Sequence, residues 1–383
     1  MRITGVEARI IRIPRDWGGA ERMADFPTRQ VCPTLPGEAL HGLLARVTTD
    51  GGLTGWGESQ ALSAPEVAGA IIRSILKPFL EGQEFSGAGI EIESLWDGMY
   101  NQMRVCGQTG GFMLDAIGAL DIALWDLAGK ILDAPIATLI AGEAARDSVE
   151  SYVNYLPGET GADRLGHARL SLDAGSTRFK LFHEGSERAL LEEFDALAEI
   201  CGAKNIAVDA QWRLDAARAV PFGRELDRRR AMWLESPFPP EDPRQHAALA
   251  ARIRTPIALG EAYRTHFELA PFFRAGAMRI VQPDVGRCGI TESLRIARAA
   301  ERAGMEVSPH LTPALGPLLY ATLHFAAAAP NCRLMPHTPG LVETANEFSR
   351  APLIFERGRY AVPQSPGLGI ELVEPEISLL EVA

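Results

Sequence analysis

No run of apolar residues in this 383-residue chain approaches the roughly 18 that a membrane-spanning helix requires. The five cysteines, Cys32, Cys106, Cys201, Cys288 and Cys332, are scattered, odd in number and never spaced C-x-x-C, which argues against a disulfide framework or a structural zinc site. Positive charge is also short. Lys plus Arg number 38 against 49 Asp plus Glu, a net of −11 that opposes nonspecific binding to nucleic acid or anionic membranes. The opening MRITGVEARIIRIP alternates like a strand and lacks the unbroken apolar core of a secretion signal, so the expectation is a cytoplasmic protein. What is present, 46% hydrophobic and 23% charged residues, supplies an ample folded core, and the length calls for two domains or one large barrel with additions.

Residues 2–13 and 40–58 read as strands, the second stretch being a hairpin turned by Thr-Asp-Gly-Gly. Between them, Arg15 to Gly37 is rich in Gly, Pro and charge without periodicity and reads as a long surface loop, a candidate lid. Helical stretches begin near Pro65 and Ile92. Residues 110–132 are apolar around most of a helical circumference, broken only by Asp115, Asp121 and Asp126, as in a buried helix linking two units. From residue 149 onward eight β-rich runs alternate with helices: VESYVNY, TRFKLF, NIAVDA, AMWLES, PIALGE, MRIVQPD, MEVSPH and NCRLM. Such alternation implies parallel strands joined by right-handed crossovers, and eight units favour a closed (β/α)8 barrel over an open sheet. The predicted architecture is α/β, with an α+β capping domain over 1–126, a barrel over 127–345, and a tail over 346–383 that returns to the cap.

Polar residues end these runs at a regular beat: Lys180, Asp209, Glu235, Glu261, Asp284 and His310, spaced 29, 26, 26, 23 and 26. One βα unit has about this length, so each residue falls at the C-terminal end of a successive strand, where a barrel gathers its active site. Three neighbouring carboxylates, Asp209, Glu235 and Glu261, would repel one another by about 4 kcal/mol per pair at ~4 Å and an effective dielectric of 20. A hard divalent cation offsets this. All-oxygen ligands suit magnesium, whereas zinc would ask for His or Cys. Three carboxylates on one dication leave −1, so an anionic substrate needs more positive charge, which Lys180 can supply. His310, one unit after Asp284, completes an acid–base dyad: the carboxylate orients one imidazole nitrogen and the other serves as general base. Each residue alone has a plainer account, as an N-cap (Asp209, Asp284), a loop carboxylate (Glu235, Glu261), a barrel ion pair (Lys180) or a satisfied loop histidine (His310). All six being plain at this spacing is the poorer explanation.

With GWGES, ALDIALWDLAGK, VDA, WLESP, LGEA, QPDVGRCGI, SPH and PGLGIELVE, the chain resembles, almost end to end, the enolase superfamily in its mandelate racemase and muconate lactonizing branch. The resemblance implies an enolase-like modified TIM barrel and Mg2+ on Asp209, Glu235 and Glu261. It also implies a carboxylate substrate that loses its α-proton to give an enediolate. Two departures narrow the chemistry. Relatives often end the second barrel strand with Lys-x-Lys, and here Lys180-Leu181-Phe182 keeps only the first, with His183 turned to the other side. Relatives often carry a Glu near the eighth strand end, where PNCRLMPHTP offers only His337. With His310 as the one base, the reading is a magnesium-dependent lyase, a sugar-acid dehydratase giving a 2-keto-3-deoxy acid. The alternatives are a one-base epimerase, racemase or cycloisomerase, or a noncatalytic sugar-acid-binding barrel. Substrate contacts are assigned to Asn154, Gln211, Tyr263 and His337, to Trp17 and Arg22 in the early loop, and to the segment from Glu58 to Gln60. The partner is a small-molecule sugar acid and the assembly a homo-oligomer.

Overall fold

The computed structural model describes residues 1–14, 39–59, 64–158, 160–311 and 314–381; the loop read from Arg15 to Gly37, with Trp17 and Arg22, lies outside the described residues, as does Gln60. Strand β1 (Ile3–Pro14) pairs antiparallel with β2 (Ala39–Thr49), and β2 with β3 (Thr54–Ser59). The β2–β3 turn closes through Thr49 N–H to the Leu53 carbonyl at 3.1 Å, with Gly52 at φ 79° as the turn requires.

Helix α1 (Phe112–Leu132) lies hard against β3. A Cβ on Gly55 would sit 2.1 Å from the Ala123 carbonyl oxygen and one on Gly57 1.9 Å from that of Ala119, so glycines on both sides of Trp56 permit this contact. The three aspartates that interrupt α1 are cross-links. Asp115 binds Arg264 at 2.9 Å; Asp121 accepts from the Thr291 amide and hydroxyl at 2.9 and 2.6 Å; Asp126 accepts from the Trp56 and Leu368 amides at 2.8 and 2.9 Å. Helix α2 (Val285–Arg302) bends where it meets Asp121, since Gly289 adopts φ 75° and a Cβ there would lie 2.5 Å from the Asp121 carboxylate.

The eight β-rich runs form eight parallel strands: β4 (Ser148–Val153), β5 (Phe179–Phe182), β6 (Ile206–Asp209), β7 (Leu234–Glu235), β8 (Ile257–Leu259), β9 (Ile280–Val281), β10 (Glu306–Val307) and β11 (Leu334–His337). Neighbours pair in sequence order, and β11 returns to pair with β4. A parallel bridge between Val307 and Cys332 joins the seventh strand to the eighth and closes a (β/α)8 barrel of the modified TIM type. A layer of Tyr152, Ala207, Trp233, Ala258 and Ile280 fills the interior, large residues beside small ones.

The tail predicted to return to the cap divides between the barrel and the first sheet. Strands β12 (Phe355–Glu356) and β13 (Arg359–Ala361) form a hairpin that pairs antiparallel with β4. Helix α3 (Glu374–Leu380) instead covers the first sheet, where Ile377 and Leu380 pack with Ile11, Leu44 and Trp56, and Arg9 binds Glu374 and Glu381 at 2.6 and 3.0 Å. Among the described residues no helix is long and apolar enough to cross a membrane.

Candidate active site

Backbone register brings the predicted residues together. Asp209 and Glu235 are direct cross-strand partners, and a parallel bridge links Asp284 to His310. Each lies at the C-terminal end of its strand, on the same face of the barrel.

Lys180, 2% exposed, is the electrostatic centre. Its ammonium lies 2.6 Å from Glu235 Oε1 and 3.3 Å from Asp209 Oδ2, and 4.9 Å from the Phe182 ring centre. Burial opposes its charge, but Glu235 and Asp209 outweigh that and raise its pKa. One cation does not neutralise both carboxylates. Burial, then the charge of Glu235, pushes Asp209 up to about 8. Glu235 is fully buried, and its second oxygen accepts from the Trp233 indole at 3.0 Å and the Gln282 carboxamide at 2.8 Å.

His310 sits between two carboxylates. Nδ1 is 2.6 Å from Asp284 Oδ2 and Nε2 is 3.0 Å from Glu261 Oε2. Burial favours a neutral ring, but Glu261 and Asp284 prevail and raise its pKa to about 9. The reciprocal effect, with help from Lys180 and Arg287, overcomes burial and holds Glu261 down at about 2. Glu261 Oε1 accepts from Ser236 Oγ at 3.0 Å. Asp284 also accepts from the Gly286 amide at 2.9 Å, so the plain N-cap and the dyad are one residue, capping α2 with one oxygen and holding His310 with the other.

Among the described residues no three His, Cys, Asp or Glu side chains converge on a single point. The side chains of Asp209, Glu235 and Glu261 take the rotamers of ion pairs and hydrogen bonds with Lys180, Ser236 and His310. The donor set nevertheless fits a hard divalent cation. It is all oxygen, on three successive strand ends, and burial, together with the neighbouring charges of Glu235 and Glu261, lets Asp209 hold a proton well above the usual carboxylate range.

The proposed substrate contacts divide. Asn154, buried after β4, and Gln211, two residues beyond Asp209, have side-chain oxygens, Oδ1 and Oε1, with no hydrogen-bond partner among the described residues. Gln211, Trp212 and Ser236 take φ of 49°, 58° and 43°, so non-glycine residues adopt left-handed backbone within three residues of Asp209 and immediately after Glu235, a cost of about 1–3 kcal/mol each. Tyr263 and His337 are not brought to the carboxylates. The Tyr263 hydroxyl donates to the Pro240 carbonyl and its ring lies against Phe272. His337 is in register with Val153 rather than Asn154; its ring stacks on Phe355 at 3.7 Å and its Nδ1 meets the Tyr360 hydroxyl at 2.8 Å. Burial lowers its pKa to about 3. Glu58 is a buried capping residue, accepting from the amides of Leu315, Gly316 and Leu318 at 2.6, 3.2 and 3.1 Å. His183 turns away from the interior, as the strand's alternation predicts, and packs edge-on against Phe222.

Sequence reasoning missed Trp233, Ser236, Gln282 and Arg287. The first and third had a signal, since Trp233 and Gln282 precede Glu235 and Asp284 by two residues and so share their inward face. Arg287 reaches back from α2 to the Glu261 carbonyl at 2.8 Å, which only tertiary structure discloses.

Comparison with known proteins places this geometry. Residues 164–376 match the family described as Enolase C-terminal domain-like, and residues 38–141 the Mandelate racemase / muconate lactonizing enzyme, N-terminal domain. A D-galactonate dehydratase of Verminephrobacter eiseniae (strain EF01-2) is 31% identical over 352 residues, 87% of this chain and 89% of that protein. Among solved structures, a provisionally named isomerase of Sinorhizobium meliloti is 32% identical with a TM-score of 0.88, covering 100% of this chain and 99% of that one. L-Talarate dehydratase of Polaromonas sp. JS666, in complex with Mg and L-glucarate, is 28% identical with a TM-score of 0.83, covering 100% and 98%. The two family matches, the long 31% relative and a barrel that carries three carboxylates and a His–Asp pair on successive strand ends agree, and the chain belongs to the mandelate racemase/muconate lactonizing branch of the enolase superfamily, a family of enzymes.

Proposed function

We propose that the protein is a magnesium-dependent sugar-acid dehydratase. The observation that carries the reading is the dyad: Asp284 fixes His310 Nδ1 at 2.6 Å, while Nε2 faces the carboxylate side, 3.0 Å from Glu261. Asp209, Glu235 and Glu261 would hold the cation, which when bound supplies a Lewis acid for the substrate carboxylate. His310 Nε2 takes the α-proton. The C–O bond at the β-carbon then breaks, the same proton returns to the departing hydroxyl as water, and the resulting enol tautomerises to the 2-keto-3-deoxy acid. Lys180 adds positive charge beside the carboxylate, where negative charge grows in the transition state. The amide oxygens of Asn154 and Gln211, without partners among the described residues, are acceptors suited to substrate hydroxyls. The dehydratase relatives support this choice of leaving group, and the isomerase relative supports the rival outcome of reprotonation.

The rival is separable. Phe182 occupies the place of a second lysine, and an aromatic ring accepts no proton, so one face of the α-carbon lacks a base. Screening sugar acids, each as both C2 epimers, should give a 2-keto acid from one epimer only. Comparable rates for both, or their interconversion, would move the assignment to an epimerase.

Cation binding should depend on pH through Asp209. With its pKa raised to about 8 in the metal-free protein, a proton competes for the site below that pH. Apparent Mg2+ affinity should therefore fall by at least about tenfold per unit from pH 8 to pH 6, with at least one proton released per ion, since the dication on Glu261 also displaces the proton that Glu261 helps to hold on His310. Calorimetry in buffers of different ionisation enthalpy measures both. A pH-independent affinity across that range would contradict it.

A further inference from the structure

Glu235 is held unequally. Two neutral donors, the indole N–H of Trp233 two residues back along the chain at 3.0 Å and the carboxamide of Gln282 just past β9, two strands over, at 2.8 Å, converge on Oε2, while Oε1 faces Lys180 at 2.6 Å on the side of Asp209. All three side chains are almost wholly buried: Glu235 0%, Gln282 1% and Trp233 2% exposed. Trp233 is also wedged edge-on against Tyr152 at 5.1 Å, in the layer that fills the barrel, so its N–H cannot readily follow a rotating carboxylate. Because a carboxylate only accepts, the Gln282 NH2 must face Glu235, which leaves Gln282 Oε1 as a buried acceptor without a partner in the described structure.

We infer that Trp233 and Gln282 are positioning residues that restrict Glu235 to one-oxygen coordination and so bias the site toward Mg2+ over Ca2+. The inference rests on the assignment of Asp209, Glu235 and Glu261 as cation ligands. Mg2+ demands a near-ideal octahedron, keeps several waters and suits ligands that each give one oxygen; Ca2+ accepts six to eight oxygens and favours two-oxygen carboxylates. With Oε2 tied by two donors, turning Glu235 to offer both oxygens would strand two buried N–H groups. The unpaired Gln282 Oε1 fits the same picture, being an acceptor next to a ligand of a cation that retains its waters.

The test is calorimetric titration of the substrate-free protein with MgCl2 and separately with CaCl2, for wild type, Gln282→Met and Trp233→Phe. Each variant removes one donor at similar volume, and folding is checked by circular dichroism. Expected is a loss of Mg2+ affinity of about 10–100-fold in either variant, with Ca2+ affinity falling less or rising, so that the Mg2+/Ca2+ ratio narrows at least tenfold. Parallel losses for both ions would reduce the pair to structural support and overturn the inference, as would unchanged affinities. Should Trp233→Phe fail to fold, Gln282→Met decides alone. A wild-type protein that binds neither ion would overturn the ligand assignment and the clamp together, whereas wild-type binding with unaltered variants would sink only the clamp.

Discussion

His310→Asn should lower both exchange of the substrate α-proton with deuterated solvent and formation of product by about 10²–10⁴-fold, the range for a positioned acid–base group. Asparagine keeps a polar side chain but cannot take up a proton at neutral pH. The two losses should be equal, because one ring nitrogen is asked both to remove the α-proton and to return it to the leaving hydroxyl. Cation affinity should survive, since His310 is bonded to Glu261 but is not itself in the ligand set. The metal-free ring, raised to about 9 by Glu261 and Asp284, is an imidazolium at neutral pH and cannot act as a base. A dication on Glu261 would cancel one of those two anionic neighbours and bring the ring back toward neutrality, so filling the site also prepares the base. Product loss with wild-type exchange would mean that His310 is only the acid and that another base acts, Lys180 first.

Why so much of this was legible follows from barrel geometry. A closed ring of parallel strands turns a spacing near 26 residues into adjacency, so six widely separated residues could be placed on one face without tertiary information. Strand alternation also carried the signal for Trp233, two residues before Glu235, and Gln282, two before Asp284, but neither was read from the sequence. Alternation failed where it does not apply. In Leu334–His337 neither burial nor chemistry alternates and a proline intervenes, so the side taken by His337 was fixed only by register with β4. Tyr263 lies beyond its strand in a turn closed by its own amide to Gly260, where strand phase says nothing of direction. Glu58 was read as part of a specificity segment running to Gln60. Its true partners, the amides at Leu315, Gly316 and Leu318, lie some 260 residues away and belong to a helix start that local pattern cannot pair with it. The three aspartates of α1 were seen as interruptions for the same reason, since their partners are in other parts of the chain.

Lys180→Met should separate stability from catalysis at this site. In the metal-free protein the ammonium is the close counter-charge to both Glu235, at 2.6 Å, and Asp209, at 3.3 Å, and all three groups are buried. Methionine fills a similar volume without charge, leaving two adjacent buried carboxylates whose repulsion is about 4 kcal/mol at ~4 Å and an effective dielectric of 20. Breaking a buried pair by removing one partner costs about 3–5 kcal/mol, so chemical denaturation of the metal-free variant should show a loss of that order. Part of it will be moderated by protonation, because Asp209 already binds a proton up to about pH 8 with the lysine in place. Mg2+ should then restore stability more strongly in the variant than in the wild type, since the added dication meets a more negative site. Turnover should not return with it. A cation held by Asp209, Glu235 and Glu261 replaces the charge that folding misses, but not a second positive group beside the substrate carboxylate, and loss of one such contact costs about 10²–10³-fold in rate. The measurement is a pair of curves, denaturation midpoint and rate, each against Mg2+ concentration. Recovery of both in parallel would make Lys180 a structural counter-ion alone; stability recovered with the rate still depressed would place it in the reaction.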